Sequence, residues 1–327
     1  MSTDMLLFQD ALREMGEVEE WIEDMEAGNE DLIIAVLLTL LPELRTLRVK
    51  ELPLNGVTFG VIQYIAEYKS TTMLSELEEV EILYDDDVES NGTLVIRPFA
   101  ILPWMKKLSC SNFKQDWSPY AAESRMPLQM WNISELTITG NGPSSKNLFE
   151  ILGGFKALKR FAYLELAASQ DFDPFWIRAA LVAYARHSLE HLIIQSPGAY
   201  KGQRCMGNLR GFERLRTLET EYKFLVEPDH CDVMYTAKYR HTVANALPRT
   251  LQELVLCGNG FDLHDQVGPS IHSLVEAKIN GHLASLNKLE YRLFYTDSNG
   301  DDVEPPVFED FDNLVATCKS QCITLTI

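Results

Sequence analysis

One six-residue string recurs along the chain, recognised by apolar residues at its first, fourth and sixth positions. It reads Leu44-Arg-Thr-Leu47-Arg-Val49, and returns at Leu77, Met105, Ile133, Leu158, Leu189, Leu215 and Leu251. Weaker copies begin at Leu286 and Cys322, and successive starts lie 33, 28, 28, 25, 31, 26, 36, 35 and 36 residues apart. A period in this range means stacked supersecondary units, so it constrains the fold more than any local propensity. The second and third positions, which take no part in choosing the windows, are polar in 19 of 20 cases where composition predicts about 11. That excess marks a true repeat.

Within each string the fourth and sixth positions alternate with the third and fifth, which is strand periodicity. Between strings lie segments of helical spacing. Val57 to Tyr68 puts Val57, Val61, Tyr64, Ile65 and Tyr68 on one face, and Pro174 suits the first turn of a helix after Asp173. Further helices are expected at Ser145 to Leu152, Lys238 to Leu247, Ile271 to Leu283 and Phe308 to Cys318. Strand and helix in strict alternation imply a parallel sheet with helices outside it. A unit this small cannot cover its own apolar edge, so neighbouring units must supply the core.

The strings resemble leucine-rich repeats of the long, irregular, helix-containing kind. Gly28 to Leu47, with the run Leu32-Ile-Ile-Ala-Val-Leu-Leu-Thr-Leu-Leu41, is similar to the opening of the repeat region in fungal F-box and leucine-rich-repeat proteins. The resemblance implies an α/β leucine-rich-repeat solenoid, a horseshoe with a parallel concave sheet, outer helices and about ten irregular repeats over residues 28–327. Residues 1–27 would form an acidic helical cap, with Met5, Phe8, Leu12, Met15, Val18, Ile22 and Met25 at helical spacing. The repeat's turn asparagine is clear only at Asn141 and Asn259, so irregular turns are expected. Residues 1–27 contain no Leu-Pro-led helical trio of the F-box kind.

Charge narrows the partners. The formal net charge is −19, with eleven acidic side chains and one basic between residues 1 and 31. Nucleic acid and anionic membrane both select a basic surface, so neither is the expected partner. The longest apolar stretch, Leu32 to Leu41, is about half the roughly 20 residues a membrane span needs. No secretory signal is recognisable, and six cysteines without a Cys-x-x-Cys pair read as free thiols, so a cytoplasmic or nuclear location is expected.

Candidate chemistry is sparse. His187-Ser-Leu-Glu190-His191 matches the H-x-x-E-H pattern of one zinc hydrolase class, which needs both histidines on one continuous helix. Leu189 and Leu192 instead belong to the strand phase of the repeat, so the helix should end near His187 and the imidazoles diverge. Asp297-Ser-Asn299-Gly-Asp301 has half of a calcium loop but places Asp302 and Phe308 where glycine and glutamate are required. No phosphate loop, dinucleotide fingerprint or nucleophile elbow occurs, and no cofactor is expected.

Carrying the resemblance through, positions three, five and seven of each unit face the concave side. The residues expected to meet a partner there are Arg48, Lys50, Glu81, Lys107, Glu135, Arg160, His191, Ile193, Gln195, Glu219, Glu221, Glu253, Val255 and Arg292, with apolar anchors at Ile193 and Val255. Insertions at 197–212 and 226–240 could add loops to one rim. The function expected is non-catalytic binding of a partner protein by a chain that is monomeric alone. Substrate recognition for ubiquitination, with the adaptor supplied in trans, and a zinc hydrolase are the alternatives.

Overall fold

In the computed structural model the described residues are 29–50, 52, 56–68, 73–84, 92–112, 129–140, 145–165, 172–196, 205–225, 243–294 and 311–326. The expected cap at 1–27, the half calcium loop, Asn141, Cys231, residues 197–204 of the first insertion and the whole of the second lie outside them.

The strands begin where position three of each string falls: β1 Thr46–Lys50, β2 Glu79–Leu83, β3 Lys107–Ser111, β4 Glu135–Thr139, β5 Arg160–Leu164, β6 His191–Gln195, β7 Thr217–Glu221, β8 Glu253–Asn259, β9 Lys288–Phe294 and β10 Thr324–Thr326. They form one sheet in chain order from β1 to β10, and every described pairing is parallel. Parallel crossovers are right-handed almost without exception, so within each compact unit an order that never reverses keeps the described helices to one side of the strands. A doubly wound sheet reverses its order and is covered on both sides.

The helices are α1 Glu30–Leu40, α2 Val57–Tyr68, α3 Gly92–Ala100, α4 Ser145–Gly153, α5 Pro174–Ala185, α6 Tyr222–Leu225, α7 Val243–Ala246, α8 Gly260–Ile279 and α9 Phe311–Ser320. Those expected at Val57, Ser145 and Pro174 form at those starts. Asp173 caps α5, its Oδ1 accepting from Phe175 N at 3.0 Å, and Pro174 takes the first turn, where its missing N–H costs nothing. The helix expected at Ile271 begins earlier, at Gly260, and ends at Ile279.

A backbone motif recurs at the described crossings up to β9. The carbonyl of position two accepts the amides of positions two and three of the next unit: Arg45 from Glu78 and Glu79, Glu78 from Lys106 and Lys107, Glu190 from Arg216 and Thr217, and Gln252 from Asn287 and Lys288, at 2.8–3.1 Å. The last crossing, into β10, keeps only the position-three half, Thr324 N donating to the Asn287 carbonyl. Position two therefore sits on the sheet's leading edge, with its side chain exposed or half-exposed in every described unit but the last, where Ile323 is buried. This is the physical reason for the polar second and third positions.

The chain divides into two compact units, Met1–Pro143 with Gly153–Lys156 and Ser144–Leu152 with Ala157–Ile327. In the first, Val80, Ile82, Leu108, Cys110, Leu136 and Ile138 form the buried rows of β2 to β4. Helix α1 packs on α2 and α2 on α3. Asp31 ties the first two together, its Oδ2 accepting from Val57 N at 2.5 Å and its carbonyl from Thr58 Oγ1 at 2.7 Å. Its negative charge thus meets the positive end of the α2 dipole. Trp131 stacks edge-on against Phe155 with centroids 5.1 Å apart, and Gly154 leaves the room: a Cβ there would lie 2.6 Å from the indole.

In the second unit Phe161, Leu192, Leu218, Leu254 and Leu289 stand in register across β5 to β9 and are buried. Beside them runs Tyr163, Ile194, Thr220, Leu256 and Tyr291, also buried, in which Thr220 is the one polar replacement other than tyrosine. Helix α5 contributes Ile177, Ala180, Leu181 and Ala185 to this core.

Candidate functional site

Parallel sheets are usually covered on both faces. Here β2, β3, β4 and β6 alternate between fully buried and half-exposed residues, so one face of each unit's sheet is packed under helices while the other carries side chains that reach solvent.

On the first unit's open face, charges alternate by strand. Glu79 stands opposite Lys107, which stands opposite Glu135, and Arg48 stands opposite Glu81. Arg48 pairs with Glu81 at 3.1 Å, and Lys107 with Glu79. Exposed pairs of this kind contribute less than about 1 kcal/mol each, but they leave the face nearly neutral. Lys50 ends β1 and is exposed. One row inward from this face, the turns are tied by side chains: Tyr84 Oη donates to the Leu52 carbonyl at 3.2 Å, and Asn112 Nδ2 to the Tyr84 carbonyl at 2.9 Å. Asn112 thus does what a repeat asparagine is expected to do, one residue past its strand.

The second unit's open face has a polar network at one side and an apolar strip at the other. Glu219 on β7 accepts from Gln195 Nε2 on β6 at 2.7 Å and from Arg292 Nη1 on β9. Arg292 Nε also donates to Glu290 at 2.6 Å, and Lys288 lies 3.2 Å from Glu290 and 3.9 Å from Glu253. The Arg292 guanidinium holds the Glu290 carboxyl below the usual range, and bonding to Glu290 raises Arg292 further.

Two residues differ from the expectation of an exposed face. Val255 on β8, expected as an apolar anchor, is 3% exposed, and Cys257 beside it is equally buried. Both lie on the strand that Arg292 crosses from β9 to reach Glu219 on β7, and Gln195 Nε2 donates to Cys257 Sγ at 3.5 Å, so they form a floor beneath this network. Burial pushes the Cys257 thiol up to about 11. Glu221 is likewise buried: Oε1 accepts from Ser196 N at 2.5 Å, and Oε2 lies 2.6 Å from Lys223 Nζ. Burial raises its carboxyl despite that lysine. Ser196 Oγ donates to the buried Glu165 at 2.8 Å, so one serine joins two carboxylates at the ends of β5 to β7.

Arg160 and Arg292 stay exposed, and His191, Ile193, Gln195 and Glu253 stay half-exposed. Arg160, His191 and Thr217 stand in one register row, and Ala162, Ile193 and Glu219 in the next. Ile193 is half-exposed between the buried Ala162 and the Glu219 network. This is an apolar spot bordered by polar side chains, the arrangement that accepts an apolar anchor from another protein.

The H-x-x-E-H string does not form zinc-hydrolase geometry. Helix α5 ends at Ala185, His187 sits in the turn and lies 2.8 Å from Glu213, and His191 opens β6. Among the described residues no cluster of three or more His, Cys, Asp or Glu is placed to hold a metal ion. Also among them, no helix is long and apolar enough to cross a membrane.

In comparisons with known proteins, no family model matches the chain and no curated protein matches its sequence. The fold and the site stand on the geometry alone.

Proposed function

We propose that the chain is a non-catalytic protein-binding module, a leucine-rich-repeat horseshoe that presents its open sheet face to a partner protein. The observation that carries this reading is a parallel sheet left uncovered on one face in each unit. Such a face is uncommon in proteins that do not use it. In the second unit Ile193 is the apolar anchor and Arg160 and His191 are its polar border, while Glu219 and Arg292 hold the surface rigid. A rigid, prearranged face loses little entropy on docking.

Residues 1–27 complete the module as its cap. Ile33, Ile34, Leu37, Leu40 and Leu41, on α1 and just past its end, are 39–60% exposed. The segment that leads directly into this helix carries its own apolar stripe from Met5 to Met25. Chain lacking 1–27 should self-associate in sedimentation, and a monomer of unchanged stability would reject the cap.

The docking face is tested by affinity purification of tagged chain with and without His191→Glu and Ile193→Arg. Specific companions should be lost from the double variant. Companions retained in full would reject this surface.

A further inference from the structure

The turns that lead into β5 to β9 stack on one another along the second unit's leading edge. Ser188 Oγ donates to the Leu158 carbonyl at 2.8 Å, Glu213 N to the Arg186 carbonyl at 3.0 Å, and Thr250 Oγ1 to the Leu215 carbonyl at 2.7 Å. Arg210 reaches Asn245 Oδ1 at 3.3 Å and His282 Nε2 at 3.4 Å. These bonds bring Lys159, Arg186, Arg210, Arg214, Arg216 and Arg249 onto one edge, all of them exposed.

Among the described residues two carboxylates share the edge, and both have partners on it: Glu213 lies 2.8 Å from His187 and is also stabilised by Arg186 and Arg214, and Glu190 lies 4.0 Å from Arg216. Cations remain in excess on a molecule whose formal net charge is −19. Like charges gathered on one rim raise each other's energy unless an anion meets them, so the concentration of arginines here has a cost that a ligand would offset.

We infer that this edge is a second binding site, separate from the sheet face, which takes an acidic peptide segment of a partner protein. Arginine outnumbers lysine there, and the guanidinium fork bonds a carboxylate through two parallel N–H groups. The strands behind the edge repeat about every 4.8 Å, so the cations form a row that an extended chain with spaced Asp or Glu can follow. A nucleic acid fits less well. Single strands bind through exposed aromatic platforms, and the aromatic described on this edge, Phe212, is buried. The net negative charge of the whole chain also repels a long polyanion.

The test is fluorescence anisotropy of a labelled deca-glutamate peptide against the full chain at low salt, with a ten-nucleotide thymidine strand as the second probe. The peptide should bind, more weakly as salt rises, and bind at least about tenfold more weakly to Arg186→Glu/Arg214→Glu/Arg249→Glu. A variant with the same charge change elsewhere, Arg45→Glu/Arg97→Glu/Lys319→Glu, should bind as the parent does, and circular dichroism should show both variants folded. Three results would overturn the inference: no peptide binding, equal loss in both variants, or tighter binding of the nucleotide strand. None of the substituted residues belongs to the His191 and Ile193 surface, so this site and the docking face fail independently.

Discussion

Arg292 on β9 reaches across β8 to bond Glu219 on β7, and Val255 and Cys257 lie beneath the bridge. One ion pair therefore does two things: it joins strands that are not neighbours, and it turns an apolar residue of the open face into core. Arg292→Ala should uncover Cys257. Alkylation at that cysteine, followed by peptide mass mapping at pH 8, should be faster by roughly tenfold than in the parent. An unchanged rate would mean that the guanidinium is not the cover.

Thr220 occupies a position filled by Ile194 and Leu256 in the flanking strands. It is fully buried, and its Oγ1 has no hydrogen-bond partner among the described residues. A hydroxyl desolvated without compensation is destabilising. Thr220→Val should raise unfolding stability by about 1 kcal/mol in urea titration. A loss of stability would show that the hydroxyl is in fact bonded.

Glu221 makes a pH prediction of definite sign. Burial raises its folded pKa above the ordinary 4.5, so between those two values the folded chain holds more protons than the unfolded one. Stability from this group is present below the unfolded pKa and lost as pH rises through the folded value. Glu221→Gln, which can still accept from Ser196 N, should flatten the decline in stability as pH rises above 4.5. If the decline is as steep in the variant, another group causes it.

Gly140 follows β4 with φ +81°, and a Cβ there would lie 1.9 Å from Asn112 Oδ1. Gly140→Ala should destabilise by more than about 1 kcal/mol. Adding Asn112→Ala should recover only part of the loss, because it removes the clash and leaves the backbone strain. Full recovery would contradict the role of the positive φ.

Much of this architecture was legible in the string itself. Leu44, Leu47 and Val49 and their counterparts mark each strand, because a one-residue slip would turn the leucines outward. Asp173 and Pro174 likewise announce α5. Whether a residue on the open face stays exposed was not legible. Val255 depends on Arg292, 37 residues later in the chain, and Glu221 on the Ser196 amide, 25 residues earlier. Asn112 could have been found by counting one residue past each strand rather than two or three. The basic leading edge was visible only as scattered arginines until the turns stacked.

The uncovered sheet face is the claim on which the functional reading rests, and single-cysteine accessibility along β6 and β7 tests it most directly. With labelling mapped by mass so that native cysteines do not interfere, His191→Cys, Ile193→Cys and Thr217→Cys should react readily in the folded chain. Leu192→Cys, Ile194→Cys and Leu218→Cys should be protected until it unfolds. Equal protection at both sets of positions would mean that this face is covered, and would contradict the account.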